Sequence, residues 1–259
     1  MKSPYKQFTI VRKKQETKNV TYITFDKNIE ARPGQFVMVW IEEGKEKPFS
    51  VANSKPFELA VAAVGPGSKA LVSKEEGRSI FVRGPYGKGF RQIGDRWLVI
   101  GGGYGFAPLR FLIKEGLQKN KKLKVDCIIG AKTKEYLMEP LADKRVKTFF
   151  TTDDGTAGEK GTVLVSMKKL IEKNKYDCIY CCGPEKMMKA VATIAKENKI
   201  KSQLSVERYY KCGFGICGHC SLNGWLSCYD GPTIDGEKAL LLEDFGVYTK
   251  DRCGRKVKL

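Results

Sequence analysis

Near its C-terminal end the chain reads Tyr209-Tyr210-Lys211-Cys212-Gly213-Phe214-Gly215-Ile216-Cys217-Gly218-His219-Cys220, and Cys228 follows. Four residues separate the first two cysteines and two separate the next pair, a spacing that can hold a [2Fe–2S] cluster. Three thiolates from one short loop must then converge on one small group, so the backbone has to curl tightly around it. Gly213, Gly215 and Gly218 allow the positive φ and close amide approach that such a curl needs. A structural zinc also takes four cysteines, but in two tight pairs, and only Cys217 and Cys220 form one here. A disulfide suits three crowded thiols less well still. Cys212, Cys217, Cys220 and Cys228 are therefore read as cluster ligands.

His219 is the only histidine in 259 residues, so Ser-His or Cys-His hydrolytic machinery has little to work with. Chemistry in such a chain falls to cofactors, and no bond-making catalytic residue is assigned. The formal charge of +18 invites a nucleic-acid reading. The lysines are dispersed, however, with Lys119–Lys124 the one dense cluster, and no ladder of aromatic and basic residues accompanies it. A solvated basic surface is expected, with no nucleic-acid partner. No apolar run reaches the length of a membrane span, and Met1-Lys2-Ser3-Pro4-Tyr5 lacks the apolar stretch of a signal peptide. Nine cysteines without such a signal point to a reducing, cytoplasmic setting. Cys127, Cys178, Cys181 and Cys182 lie in or beside apolar runs and read as small buried hydrophobes. Cys253, in the tail, reads as a packed thiol.

In chain order, Phe8–Val11, Val20–Phe25, Gln35–Trp40 and Phe57–Val64 favour strands. Pro33-Gly34, Glu43-Gly44 and Gly84-Pro85 mark turns, and Lys69–Lys74 suggests one short helix. The rhythm changes at Trp97-Leu98-Val99-Ile100, an apolar run suited to a buried parallel strand. It enters Gly101-Gly102-Gly103-Tyr104-Gly105-Phe106-Ala107-Pro108-Leu109 and then a helix to about Lys119. Strand, glycine turn and helix together present amides and a helix N-terminus to a phosphate. Further strands at Val125–Gly130, Val146–Thr151 and Asp177–Cys182 alternate with helices near Glu135–Leu141, Thr162–Asn174 and Lys186–Asn198. The expected architecture is multidomain, β plus α/β. An N-terminal antiparallel β-barrel spans 1–95, a central Rossmann-like parallel sheet 96–204, and a small C-terminal [2Fe–2S] module 205–259.

This order of modules resembles the ferredoxin–NADP reductase superfamily, in which flavin and nicotinamide meet between barrel and α/β domain. Lys47-Pro48-Phe49-Ser50 resembles the Arg-x-x-Ser flavin motif, and Gly65-Pro66-Gly67-Ser68 the turn that holds the FAD pyrophosphate. Gly84-Pro85-Tyr86-Gly87-Lys88-Gly89-Phe90 is similar to the segment closing the barrel. The turn Gly101–Leu109, Thr152-Asp153-Asp154-Gly155 and Cys182-Gly183-Pro184-Glu185-Lys186-Met187 resemble the nucleotide-side motifs. With the cysteine loop, Ser205-Val206-Glu207-Arg208, Cys228-Tyr229-Asp230-Gly231-Pro232 and the tail Phe245-Gly246-Val247-Tyr248 and Gly254-Arg255-Lys256-Val257 resemble the electron-transfer subunit of class 1B dihydroorotate dehydrogenase. That resemblance implies FAD on the barrel, NAD on the α/β domain as acceptor, and one [2Fe–2S] cluster. It also implies an FMN-containing catalytic subunit that oxidises dihydroorotate, in a heterotetramer with two of each chain. The residues it assigns to cofactors are Lys47, Pro48, Phe49, Ser50, Val61, Ala62, Gly67 and Ser68 for the flavin, and Gly101, Gly103, Gly105 and Cys182 for the nucleotide.

Two departures bear on these roles. Lys47 replaces the family's Arg and lacks its planar bidentate grip on phosphate. Tyr104 puts a ring where a small or aliphatic residue is usual, which leaves the acceptor open. By resemblance Ser50 would place its hydroxyl near the reactive flavin nitrogen, and Gly67 and Ser68 would donate to pyrophosphate. Asp153 and Asp154 sit in a good turn sequence and read as capping residues as readily as a catalytic pair. His219 is expected to face outward, and Met187 and Met188 to enter the core. Two rivals are an electron-transfer subunit of a hydrogenase or sulfite reductase, and a zinc-bearing module that binds nucleic acid.

Overall fold

A computed structural model describes residues 5–42 and 45–259. Six strands close an antiparallel barrel: β1 (Lys6–Gln15), β2 (Val20–Phe25), β3 (Phe36–Glu42), β4 (Lys45–Ser54), β5 (Phe57–Ala62) and β6 (Ser79–Tyr86). Alternate residues of each strand turn inward, so Ile23, Phe25, Val37, Val51, Phe57 and Leu59 fill the interior. The rings of Phe25 and Phe57 stack at 4.7 Å between centroids. Helix α1 (Pro66–Ser73) buries Leu71 against that core. It starts three residues before the expected Lys69, because Pro66 is preset for the first helical position. The expected turn at Glu43-Gly44 lies outside the described residues. Gly84-Pro85 is not a turn: it lies inside β6, where a register shift sets these two residues against Val37 alone of β3.

The second unit contains β7 (Arg96–Gly102), α2 (Phe106–Lys119), β8 (Lys124–Ala131), β9 (Val146–Thr152), β10 (Glu159–Lys160), α3 (Val163–Lys173), β11 (Cys178–Cys182), α4 (Glu185–Glu197) and β12 (Lys201–Ser205). Their sheet runs β10-β9-β8-β7-β11-β12 in parallel. Val99, Val125 and Cys127 pack under α2 on one face, while Leu98, Ile128 and Ile179 pack under α3 and α4 on the other. Cys127, Cys178, Cys181 and Cys182 are all buried in these layers. The expected helix over Glu135–Leu141 is absent, apart from one 3₁₀ turn at Lys134–Tyr136. Pro140 keeps its predecessor out of helical geometry, and Met138 is drawn into the core instead.

The last module contains two small hairpins, β13 (Ser221–Leu222) with β14 (Trp225–Leu226) and, after the strand β15 (Thr233–Asp235) and helix α5 (Gly236–Leu240), β16 (Tyr248–Lys250) with β17 (Lys256–Lys258). β15 joins the central sheet antiparallel to β12. The cysteine loop is thereby anchored to the α/β sheet as well as to the barrel. The chain reverses direction across the sheet between β7 and β11, and a ligand crevice is expected outside the carboxyl ends of strands at such a switch point. Both glycine turns, after β7 and after β11, open there.

Candidate functional site

Gly213, Gly215 and Gly218 have φ of +80°, +90° and +67°, the curl that the spacing predicts. The four thiols fall into two couples. Cys220 and Cys228 are buried with their sulfurs 3.2 Å apart. The Cys217 amide lies 3.5 Å from the Cys212 sulfur, and the two thiols interact. Among the described residues no three ligand groups converge on one point. Two couples, Cys212 with Cys217 and Cys220 with Cys228, suit the two irons of a [2Fe–2S] cluster.

The loop also tunes its thiols. Burial acts to raise Cys212, but the amides of Cys217, Phe214 and Ile216 overcome it and hold the thiol down at about 6. Burial and then the Cys220 thiol push Cys228 up to about 12. Amides aimed at sulfur favour the thiolate that a metal requires, so the donor set fits an iron–sulfur cluster. His219 does not face outward freely. It is half-buried, its ring 5.6 Å from that of Tyr209 and its Nε2 3.0 Å from the Arg252 carbonyl. Cys253 is exposed rather than packed.

A cleft of 330 Å³ opens between the barrel and the turn after β7. Lys47, Pro48, Phe49 and Ser50 of β4 line one wall, and Gly67 and Ser68 of α1 line another. The Lys47 stem runs so close over Gly67 that a Cβ there would lie 3.2 Å from Lys47 Cγ. A cation beside a helix N-terminus is a donor set suited to a pyrophosphate, and apolar Ala60, Ala62 and Pro108 suit a flavin ring. The Ser68 hydroxyl is engaged locally: it accepts the Val64 and Gly65 amides and donates to the Gly65 carbonyl, each at 3.1 Å. Val61 turns the other way, into the barrel core. Its neighbours Ala60 and Ala62 face the cleft because side chains alternate along β5.

Beyond Tyr104 a second cavity of 970 Å³ follows the carboxyl ends of the parallel strands. Gly103 and Gly105 line it, as do Gly183 and Asp153. A Cβ on Gly105 would meet the Cys182 carbonyl at 2.7 Å, so the two turns touch only because that residue is glycine. Gly101 and Cys182 stand behind this surface: Gly101 abuts Phe106, and Cys182 is 1% exposed. Asp154 caps its turn, accepting the Thr156 amide and hydroxyl at 3.0 and 2.7 Å. Met188 is buried, while Met187 borders the cavity.

Tyr104 and Glu207 line both cavities and form the partition between them. The Glu207 carboxylate and then burial push the Tyr104 phenol up to about 12. Glu207 is exposed where it borders the two cavities, and desolvation by the surrounding residues raises its own pKa. Sequence reasoning assigned it no role. Phe36 and Tyr210 were likewise not singled out. Their rings lie 4.6 Å apart, both line the flavin cleft, and both pack in one cluster with Cys220 and Cys228. No local pattern could reveal this, because the two aromatics are 174 positions apart (210 minus 36).

Residues 99–193 match the model of the oxidoreductase NAD-binding domain, and residues 207–239 that of the iron–sulfur cluster binding domain of dihydroorotate dehydrogenase B. The chain is 40% identical to a probable dihydroorotate dehydrogenase B (NAD(+)) electron transfer subunit of Methanocaldococcus jannaschii, over 94% of each chain. It is 39% identical to the corresponding protein of Thermococcus kodakarensis, over 90% of this chain and 97% of that one. Among solved structures it resembles a chain of the NADH-dependent reduced ferredoxin-NADP oxidoreductase, with TM-score 0.80 and 32% identity over 89% of this chain and 88% of the other. A ferredoxin reductase in carbazole 1,9a-dioxygenase, with TM-score 0.66 and 19% identity, covers 76% of this chain and 66% of its own and shares the fold.

Proposed function

Because the chain belongs to the family of dihydroorotate dehydrogenase B electron-transfer subunits, we propose that the wall of Phe36 and Tyr210 is what couples its two redox sites. The subunit passes electrons through an iron–sulfur centre and FAD toward NAD, and an FMN-containing dihydroorotate dehydrogenase subunit is the partner that the family implies. When bound, the cluster exchanges single electrons and the flavin converts them to hydride chemistry with a nicotinamide. The observation that carries the reading is that Cys220 and Cys228 pack on the same two aromatics that line the flavin cleft.

In this reading Cys212, Cys217, Cys220 and Cys228 hold the cluster, and the loop amides set its potential. Lys47 and the N-terminal amides of α1 hold the FAD pyrophosphate, with Ser68 shaping the turn through its hydroxyl. Ser50 faces the ring. Gly103 and Gly105 admit the nucleotide backbone, and Tyr104 stands where the nicotinamide must pass. Moving that ring aside costs about 1 kcal/mol. Tyr104→Ala is therefore expected to tighten NAD binding about fivefold, as measured by calorimetry on the FAD-loaded protein; weaker binding would show the ring to be a stacking platform.

The face around Cys217 carries exposed Phe214, Ile216 and Tyr229, an apolar rim that suits docking of the FMN subunit. A heterotetramer of two of each chain, a cytoplasmic setting, and a working division at 95 and 204 complete the proposal. No helix among the described residues is long and apolar enough to cross a membrane.

The deciding experiment is an anaerobic absorbance spectrum before and after NADH, with iron and flavin quantified. Flavin bands above broad iron–sulfur absorption, bleached by NADH, are the expected result. Bands bleached only by dithionite would retain the relay and redirect it to another acceptor. A colourless protein containing zinc would end the reading. Co-purification with an FMN-containing dihydroorotate dehydrogenase chain separates this assignment from a hydrogenase or sulfite reductase subunit.

A further inference from the structure

A third cavity, of 210 Å³, lies on the outer face of the barrel beneath α2, apart from the redox sites. It contains two buried polar atoms that the fold leaves unmatched. Tyr22 is 9% exposed, and its hydroxyl makes no hydrogen bond of normal geometry, although the Arg110 guanidinium acts on it. Burial pushes that phenol up to about 12, so it stays protonated and offers a donor. Glu16 has a side chain only 1% exposed. Its Oε1 accepts from Arg110 at 3.1 Å and from the Glu139 amide at 3.0 Å. Its Oε2 has no hydrogen bond, and the Lys14 ammonium, 3.6 Å away, is already bonded to Glu139 at 2.7 Å.

A buried donor or acceptor without a hydrogen bond is costly, and here a donor and an acceptor, the latter held only by an ion pair to Lys14, face the same space. The charge around them is unbalanced as well. Arg12, Lys14, Arg110 and Lys114 line the cavity against Glu16 and Glu58. Arg110 and Lys114 stand one turn apart on α2, the first stacked 5.7 Å over the Tyr22 ring and the second bonded to Asn53 at 3.2 Å. Lys14 is paired with Glu139 and Arg110 with Glu16, which leaves Arg12 and Lys114 as the lining cations best placed to meet an anion.

We infer that this cavity is a binding site for a small hydroxyl-bearing organic phosphate, whose anionic oxygens take Tyr22, Arg12 and Lys114 and whose hydroxyl donates to Glu16. The cavity is smaller than the ~300 Å³ at which typical ligand clefts begin, so the ligand is smaller than a dinucleotide. It would touch the barrel strands and α2 together, and α2 begins directly behind the glycine turn of the nucleotide cavity.

The test is isothermal titration of the FAD- and cluster-loaded protein, held in saturating NAD, with glycerol 3-phosphate, propyl phosphate and inorganic phosphate. Single-site binding is expected, tightest for glycerol 3-phosphate. Tyr22→Phe should weaken it about five- to tenfold, the loss of one hydrogen bond, and Lys114→Gln should weaken all three probes. Absence of saturable heat from every probe would overturn the inference and leave a hydrated cavity. Binding indifferent to both substitutions, or seen only in a parallel titration without NAD, would place the anion elsewhere and overturn it equally.

Discussion

Cys228→Ser is expected to strip the broad iron–sulfur absorption from the protein while leaving the flavin bands in place and reducible by NADH. Cys228 is one of the inner couple, buried with Cys220 against Phe36, Met38 and Tyr210. It reaches that position from outside the loop that supplies the other three ligands, so no neighbouring thiol can substitute for it. Changing even an outer-shell partner of a metal ligand typically costs about 10–100-fold in affinity, and losing a ligand should cost more. Electron exchange with the FMN subunit should then fall by more than about 100-fold. NADH-to-dye activity through the flavin should persist, because the cleft and the nucleotide cavity use none of the four cysteines. Unchanged iron content in the variant, or equal loss of both activities, would refute the assignment. The first would remove Cys228 from the ligand set, and the second would show that the module holds the flavin cleft together.

Arg208→Leu is expected to destabilise the folded protein by about 3–5 kcal/mol, the cost of leaving a buried charge unpaired. Arg208 donates from Nη2 to Glu185 at 2.7 Å and from Nη1 to the Tyr248 carbonyl at 2.6 Å. The same Glu185 oxygen accepts the Gly246 amide at 3.0 Å. Side-chain exposures of 3% for Arg208 and 7% for Glu185 put the ion pair in the interior. It joins the segment leading to the cysteine loop, the start of α4 and the tail hairpin. Burial lowers the Arg208 pKa and raises that of Glu185. Desolvation thus offsets most of the attraction, and the intact pair adds little net stability. The loss in Arg208→Leu comes from the orphaned carboxylate.

A second substitution separates the two effects. Arg208→Leu with Glu185→Leu should recover most of the stability, measured as the midpoint of thermal flavin release. The sign with pH also follows. A carboxyl whose folded pKa is raised binds its proton more tightly in the folded than in the unfolded state. The single variant should therefore lose further stability as pH rises above the ordinary carboxylate range, and its deficit should shrink in acid. A deficit independent of pH, with no recovery in the double variant, would mean that lost packing rather than charge is responsible.

Much of the molecule is legible in its sequence because its chemistry is written in short segments. The spacing of Cys212, Cys217 and Cys220 and the glycines between them constrain one loop whatever surrounds it. The strand–glycine–helix passage from Trp97 to Lys119 depends on contiguous residues, as do the apolar alternations that build the barrel and the parallel sheet. Readings failed where a distant neighbour overrode a local signal. Met138 is claimed by the core, so the segment after Lys134 does not continue as a helix. Gly84-Pro85 is held in β6 because Arg83 and Tyr86 on either side pair with β3, so it bulges instead of turning.

Only the tertiary structure decided which residues meet. Strand alternation sent Val61 into the barrel and left Ala60 and Ala62 in the cleft. Cys182 and Gly101 shape the nucleotide turn from behind its surface. The packing of Phe36 on Tyr210 between cleft and cluster, the Tyr104–Glu207 partition, and the unmatched Tyr22 and Glu16 all arise from segments that are remote along the chain. Each depends on the seating of the barrel and the cysteine module against the central sheet. Local spacing determines what each segment can bind; the apposition of modules determines the order of the sites and what separates them.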